Sequence, residues 1–269
     1  MARRMEELSK IQKIERLGKE KHNNQGCLMK IVEYNNATNI VIEFQDEYKT
    51  KIKSAWKEFS NGGIKNPYYP EVYGIGIVGN KCPTTLNHEQ IKEYEAWCNM
   101  LQRCYSEKIK DKKKYSTYRG IIVCEEWMLY ENFYKWLHSQ DNFDKWLNGK
   151  KWAVDKDILM KGNKIYSPET CCLVSHIVNG LFLKHNATRG NLPIGTSVHG
   201  NGFQARCHNP IIDKEVYLGT YYSPEEAFQV YKSYKESIIK QVAQLEYSKG
   251  NITEKCYNAM MKYEVEITD

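Results

Sequence analysis

The stretch WAVDKDILMKGNKIYSPETCCLVSHIVN, residues 152–179, decides how the rest of the chain is arranged. An apolar run ends on Asp155, Lys156 and Asp157, a turn follows at Gly162-Asn163, and a Tyr-Ser-Pro-Glu corner leads into a second short apolar run at residues 171–174. Residues 176–183 are apolar enough to be helical. The order predicted is strand, loop, strand, helix. It brings Asp155 and Asn179 within reach of one another, so that one divalent cation fits between them.

Composition limits what this centre can be. The chain has 269 residues, long enough to bury a sizeable core and to divide into several small modules. Lys and Arg number 39 against 33 Asp and Glu, a net charge of +6 that suits a polyanionic partner without requiring one. Twenty tyrosines and six tryptophans interleave with the lysines, and aromatics so placed either stack on bases or fill a core. No apolar run approaches the roughly 18 to 20 residues of a membrane span, and residues 1–21 are charged throughout, so neither a membrane segment nor a signal peptide is expected and a cytoplasmic location is. The nine cysteines include no C-x-x-C pair and read as reduced structural thiols.

Outward from the centre, the fold class expected is α+β in three modules: 1–81, 82–188 and 189–269. Residues 4–17 have helical spacing and stop at Gly18. β-rich runs at 27–34 and 40–44 flank a polar turn and predict a hairpin, a third run at 48–56 alternates weakly, and together they predict a small β-barrel-like module. Its Lys49, Lys51, Lys53 and Lys57 read equally as contacts to a DNA backbone or as a solvated edge strand. Beyond Thr84 the period is helical, with Ile91, Tyr94, Trp97, Cys98, Leu101 and Cys104 on one stripe and a cap near Asn87. The densest basic tract follows, with Lys110, Lys112, Lys113 and Lys114, either a solvated loop or a phosphate contact beside the cleft. Residues 120–124 predict a strand, and 125–137 a helix carrying Trp127, Phe133, Tyr134 and Trp136.

The C-terminal third predicts three short strands at 194–199, 203–208 and 215–220. A helix follows, with Ser223 as N-cap, Pro224 in its first turn and Glu226 completing a capping box. Ala227, Tyr231, Tyr234, Ile238, Val242 and Leu245 recur on one face of it, and a further short helix is expected in the tail from Ile252. By the period of two, Phe203, Ala205 and Cys207 point to the helix, while Gln204, Arg206 and His208 point away. A sheet with such a polar outer face enters a major groove, where Arg pairs with guanine and Gln with adenine.

These residues carry two resemblances. GTSVHGNGFQARCH followed by EVYLGTYYSPEEAFQVYKSYKE, within about residues 192–243, resembles the AP2 DNA-binding domain, with Leu218-Gly219-Thr220 and Glu225-Glu226-Ala227 at that pattern's separation. Thr196 replaces the usual Val, and Tyr231 stands where Ala-Tyr is expected at the preceding position. The resemblance implies that the sheet reads double-stranded DNA through Gln204 and Arg206, with His199, His208 and Tyr217 as further candidates. The 152–179 stretch, with Trp97-x-x-Met100-x-x-Arg103-Cys104-Tyr105 and Cys124-Glu-Glu-Trp127-x5-Phe133, resembles a phage HNH endonuclease of the homing type, a protein of the bacterial host's cytoplasm. It implies a ββα-metal unit with Mg²⁺ or Mn²⁺ between Asp155 and Asn179. Lys156 stands where that family has its general-base His, and Thr170 where it has the Asn that orients the base.

A lysine with a reference pKa of about 10.4 is a poor base at neutral pH. Two DNA readings therefore stay open, beside a third class, a protein-interaction module that sequesters a host enzyme, for which the sequence carries no positive feature. In one, the protein is a sequence-specific DNA nuclease, impaired or rerouted, with Asp157, His176 or metal-bound hydroxide in place of the base. In the other, it is a catalytically inactive, HNH-derived DNA-binding or regulatory factor in which Lys156 contacts a phosphate.

Overall fold

The computed structural model describes residues 11–107, 119–183, 192–267 and 269. It is a mixed α+β chain that divides into two compact units, Met1–Pro83 with Met128–Glu131, and Thr84–Trp127 with Asn132–Asp269. The boundary expected between residues 188 and 189 falls inside the second unit.

The first unit is an antiparallel meander of β1 (Glu20–His22), β2 (Leu28–Asn36), β3 (Asn39–Phe44) and β4 (Lys51–Ser54), followed by helix α1 (Trp56–Asn61). Alternation drives it: Met29 and Ile31 point inward from β2, a bulge after Ile31 restores Tyr34 to the same face, and Ile40, Ile42 and Phe44 meet them from β3. The barrel-like expectation is corrected here, because β1 and β4 do not pair and the sheet stays open. With β1 only three exposed residues long, closure has no ladder to form, and Phe59 of α1 and Ile64 cover the apolar face instead. Trp56 starts α1 rather than ending a strand, and its ring takes the Arg16 guanidinium at 4.2 Å. Lys51 and Lys53 occupy the exposed positions of β4, and Lys51 lies 3.7 Å from Glu43. The unit also contains the short ribbon of β5 (Pro70–Val72) and β6 (Gly76–Ile77).

The second unit opens with the ribbon of β7 (Thr85–Leu86) and β8 (Glu89–Gln90). Asn87 and His88 are its two-residue turn, both at positive φ, so Asn87 closes a hairpin and Ile91 takes the N-cap position of helix α2 (Lys92–Tyr105). Trp97, Met100, Leu101 and Cys104 are buried on α2, and the Trp97 indole donates to the Trp127 carbonyl at 2.7 Å. After β9 (Ile122–Val123), residues 125–137 form a 3₁₀ turn (Glu125–Met128) and then helix α3 (Tyr130–His138), where one continuous helix is expected. Trp127 packs edge-on against Phe133 at 5.1 Å, which the break in the helix permits.

Helix α4 (Phe143–Asn148) leads to β10 (Trp152–Asp155). The central stretch then runs through β11 (Ile165–Tyr166), β12 (Cys172–Ser175) and helix α5 (His176–Gly180), so the expected order is observed with a two-residue strand, β11, added inside the loop. β10 and β12 pair antiparallel with Asp155 opposite Cys172, while β11 pairs parallel with β9. The chain continues into a three-stranded antiparallel sheet of β13 (Thr196–His199), β14 (Gly202–Asn209) and β15 (Lys214–Tyr221), then helices α6 (Pro224–Ser248) and α7 (Glu254–Met261). Pro224 opens α6, and the Ser223 hydroxyl caps it by accepting from the Glu226 amide at 3.2 Å. Of the α6 stripe, Ala227, Tyr231, Ile238 and Val242 are buried, while Leu245 is exposed near the helix end. Gly195 sits at φ +76 against Tyr231, where a Cβ would come 2.0 Å from the ring, so no side chain fits at the entry to β13.

Cys172, Val174, Val178 and Leu181 of the ββα stretch share one apolar cluster with Ala205 and Cys207 of the sheet and Ala227, Tyr231 and Ile238 of α6. The two element sets thus contribute to one core within the second unit. None of the nine cysteines is in a disulfide, and among the described residues no helix is long and apolar enough to cross a membrane.

Candidate functional site

Residues opposite one another in an antiparallel pair share a face, so the register of the C-terminal sheet defines its outer surface. Ser197 faces Gln204, Gln204 faces Thr220, Arg206 faces Tyr217 and His208 faces Glu215, with His199 opposite Gly202. The five side chains of the sheet expected to meet DNA, His199, Gln204, Arg206, His208 and Tyr217, therefore lie on one face, while Ala205 and Cys207 are buried behind it. A bulge carries Leu218 between the pairs Ala205↔Gly219 and Arg206↔Tyr217. It shifts the alternation so that Tyr217 and Thr220 stand on the same side, joined hydroxyl to hydroxyl at 2.8 Å.

The face is cross-linked by its own polar groups. The Gln204 amide donates to the Ser197 hydroxyl at 3.0 Å, and Arg206 Nε donates to Gln204 Oε1 at 3.1 Å. The Arg206 guanidinium also lies 5.6 Å from the Tyr217 ring centre. With Nε spent on Gln204, the Nη groups are the donors a guanine edge would take. His208 approaches Asp213 at 3.6 Å, an exposed contact that contributes little.

The second region is a cavity of about 520 Å³ at the end of β10, lined by Asp155, Lys156, Asp157, Asn163 and Asn179 together with Arg103 and Arg119. Asp155 Oδ1 accepts the backbone N–H groups of Asp157 at 2.8 Å and Ile158 at 2.9 Å, which turns the chain out of the strand. Burial pushes the Asp155 carboxyl above its ordinary range, and the two N–H donors pull the other way. Lys156 is buried, yet its ammonium reaches Asp157 Oδ1 at 2.6 Å and the Asn163 carbonyl at 3.1 Å. A lysine held between a carboxylate and a carbonyl has the geometry of a structural cation.

Thr170 donates to the Ile165 carbonyl at 2.7 Å and contacts Ser167 Oγ at 3.1 Å, so its hydroxyl pins the corner before β12. Asn163 does more of the orienting: its amide donates to the Lys156 carbonyl at 2.9 Å and to the Ile165 carbonyl at 2.6 Å, and its Oδ1 accepts the Ile165 amide at 3.1 Å. His176 lines a different cavity from Asp155, together with Arg206 and His208. Lys110, Lys112, Lys113 and Lys114 lie outside the described residues.

Sequence reasoning missed Arg103, Arg119 and Asn163 as members of the site. Asn163 carried a signal, since an Asn in a turn commonly bonds its neighbours' backbone. The two arginines come from distant segments that only the fold converges. Counting these and Lys161 and Lys164, cations outnumber the carboxylates of Asp155 and Asp157 around the cavity, an electrostatic setting for a phosphate.

Asp155 and Asn179 would present a carboxylate and an amide oxygen to a cation. Both oxygens are hard, and a pair of them suits an Mg²⁺ that keeps most of its water and completes its shell with substrate phosphate. Among the described residues no group of three or more His, Cys, Asp or Glu side chains is placed to hold a metal. The surrounding cations oppose a dication until an anion arrives with it. No family model, no curated protein and no solved structure matches the chain.

Proposed function

We propose that the protein binds double-stranded DNA in a sequence-dependent way through the outer face of the β13–β15 sheet. The observation that carries this reading is the single exposed face on which Gln204, Arg206, Tyr217, His199 and His208 gather, with Arg206 and Gln204 already hydrogen-bonded to each other. A side chain held by its neighbours loses less freedom on binding, and Arg and Gln side by side suit a guanine next to an adenine. The test is selection of a bound duplex from a random pool, followed by affinity measurements with Arg206→Ala and Gln204→Ala. Unchanged affinity and preference in both variants would refute the assignment.

The cavity at Asp155 favours a phosphodiester as the group bound beside it, because arginines and lysines surround it. Since Lys156 is tied to Asp157 and His176 lies in another cavity, the geometry favours the reading of a DNA-binding or regulatory factor in which this unit grips the backbone. A second reading, metal-dependent hydrolysis, is favoured by one observation: Asp155 and Asn179 line the same cavity. Mg²⁺ or Mn²⁺ there would stabilise developing charge on a phosphate and supply hydroxide, while Arg103 and Arg119 held the strand. Plasmid nicking with either ion, wild type against Asp155→Ala, separates the two.

A further inference from the structure

A further cavity of about 870 Å³ lies in the second unit, next to the sheet face, with which it shares Arg206 and His208, and apart from the cavity at Asp155. One wall is α5, through His176, Ile177 and Gly180; the other is β14 beyond Ala205, with Tyr231 and Lys235 of α6. The sheet leaves this space because β13 pairs with β14 only as far as Ala205, and the Arg206 amide then bonds the Gly195 carbonyl at 3.0 Å as the chain turns away. Lys151, His176, Arg206, His208 and Lys235 line the cavity, against the carboxylates of Asp213 and Glu215. Asp213 already faces His208. Lys235 has no ion-pair partner among the described residues, and burial lowers the pKa of its ammonium, with Cys207 and Glu215 opposing that shift more weakly.

A desolvated ammonium beside an arginine and two imidazoles, in a cavity with apolar walls, is complementary to a phosphate ester carrying an apolar body. We propose that this cavity binds a nucleotide phosphate, with Lys235 and Lys151 as its principal cations. Two sources supply that chemistry: a backbone phosphate of the DNA read by the adjacent sheet, or a free mononucleotide. Position favours the first, since Arg206 borders both the sheet face and this cavity, while α5 presents His176 here and Asn179 to the cavity of Asp155. A backbone running from the sheet towards Asp155 would pass along it. That source rests on the DNA-binding reading; the free-nucleotide source does not.

The experiment uses the full chain with Lys235→Met, which keeps the aliphatic stem and removes the buried charge, and with Lys151→Met, folding being checked by thermal melting. In the first arm, affinity for the selected duplex is measured against salt. The expected result is a drop of about one in the slope of log K against log salt for each variant, with sequence preference retained. In the second arm, dAMP and inorganic phosphate are titrated calorimetrically. Binding of dAMP to wild type that is lost in Lys235→Met, with the salt slope unchanged, supports the free nucleotide as the source. An unchanged slope together with dAMP binding that is absent or insensitive to both variants overturns the proposal. Failure of the wild type to bind any duplex refutes the DNA reading alone, and the dAMP arm then decides the cavity.

Discussion

The outer face of the β13–β15 sheet and the cavity at Asp155 belong to the same unit and share a core, yet they present polar groups in opposite ways. On the sheet, Ser197, Gln204, Arg206 and Tyr217 form a connected row that points to solvent. At Asp155 the polar groups turn inward and largely satisfy one another: Asp155 with two backbone amides, Lys156 with Asp157 and Asn163, Thr170 with its own corner. The row on the sheet is cross-linked, yet its groups still face solvent, as the proposed reading of a duplex requires. A cavity that spends most of its polar groups internally has been made rigid, and what remains for a ligand is charge, through Arg103, Arg119 and the one less-occupied oxygen of Asp155.

The largest effect that would break this contrast is catalytic. If the cavity hydrolyses DNA, Asp155→Ala reduces metal-dependent plasmid nicking to background while the affinity for the selected duplex stays near wild type. Wild-type inactivity with Mg²⁺ and Mn²⁺ on DNA the protein demonstrably binds would leave the cavity as a grip only. Next comes Arg206→Ala, expected to weaken duplex binding by about 1–3 kcal/mol, roughly 5- to 150-fold, and to relax preference at one base position, read by fluorescence anisotropy over single-base variants.

Third, Asn163→Ala removes three hydrogen bonds that fasten Lys156 and β11, and is expected to cost about 1–3 kcal/mol in urea unfolding while leaving the sheet's sequence preference intact. A changed preference would show that the two regions are coupled. Fourth, Arg103→Ala and Arg119→Ala should each lower the salt slope of duplex binding by about one without altering which sequence is chosen. The smallest effect is in pH. Burial holds the Lys235 pKa below its ordinary value, so the folded state binds that proton less tightly than the unfolded state does. The penalty is therefore present below the folded pKa and fades as pH rises through it towards 10.5. The gap in melting temperature between Lys235→Met and wild type should narrow over that range.

Legibility followed regularity. The face bearing Gln204, Arg206 and His208 was readable from alternation alone, and the α6 cap from Ser223 and Pro224, because both depend on residues a few positions apart. Tyr217 and Thr220 share that face only through the bulge at Leu218, which no alternation foretells. The cap expected near Asn87 went elsewhere because two successive residues at positive φ made a tighter hairpin there than a helix start would allow.

What the sequence by itself determined is local: the strand-loop-strand-helix order of residues 152–179, the three strands and helix of the C-terminal third, and the mild positive charge. Those follow from side-chain period, turn residues and caps, each acting over a few residues. Only the tertiary structure decided that the N-terminal sheet stays open, that Lys156 is tied to Asp157 and Asn163, that His176 faces a cavity other than Asp155's, and that Arg103 and Arg119 converge on it. The reason is the same throughout. Each depends on which distant elements share a core, and burial, not proximity in the chain, sets that.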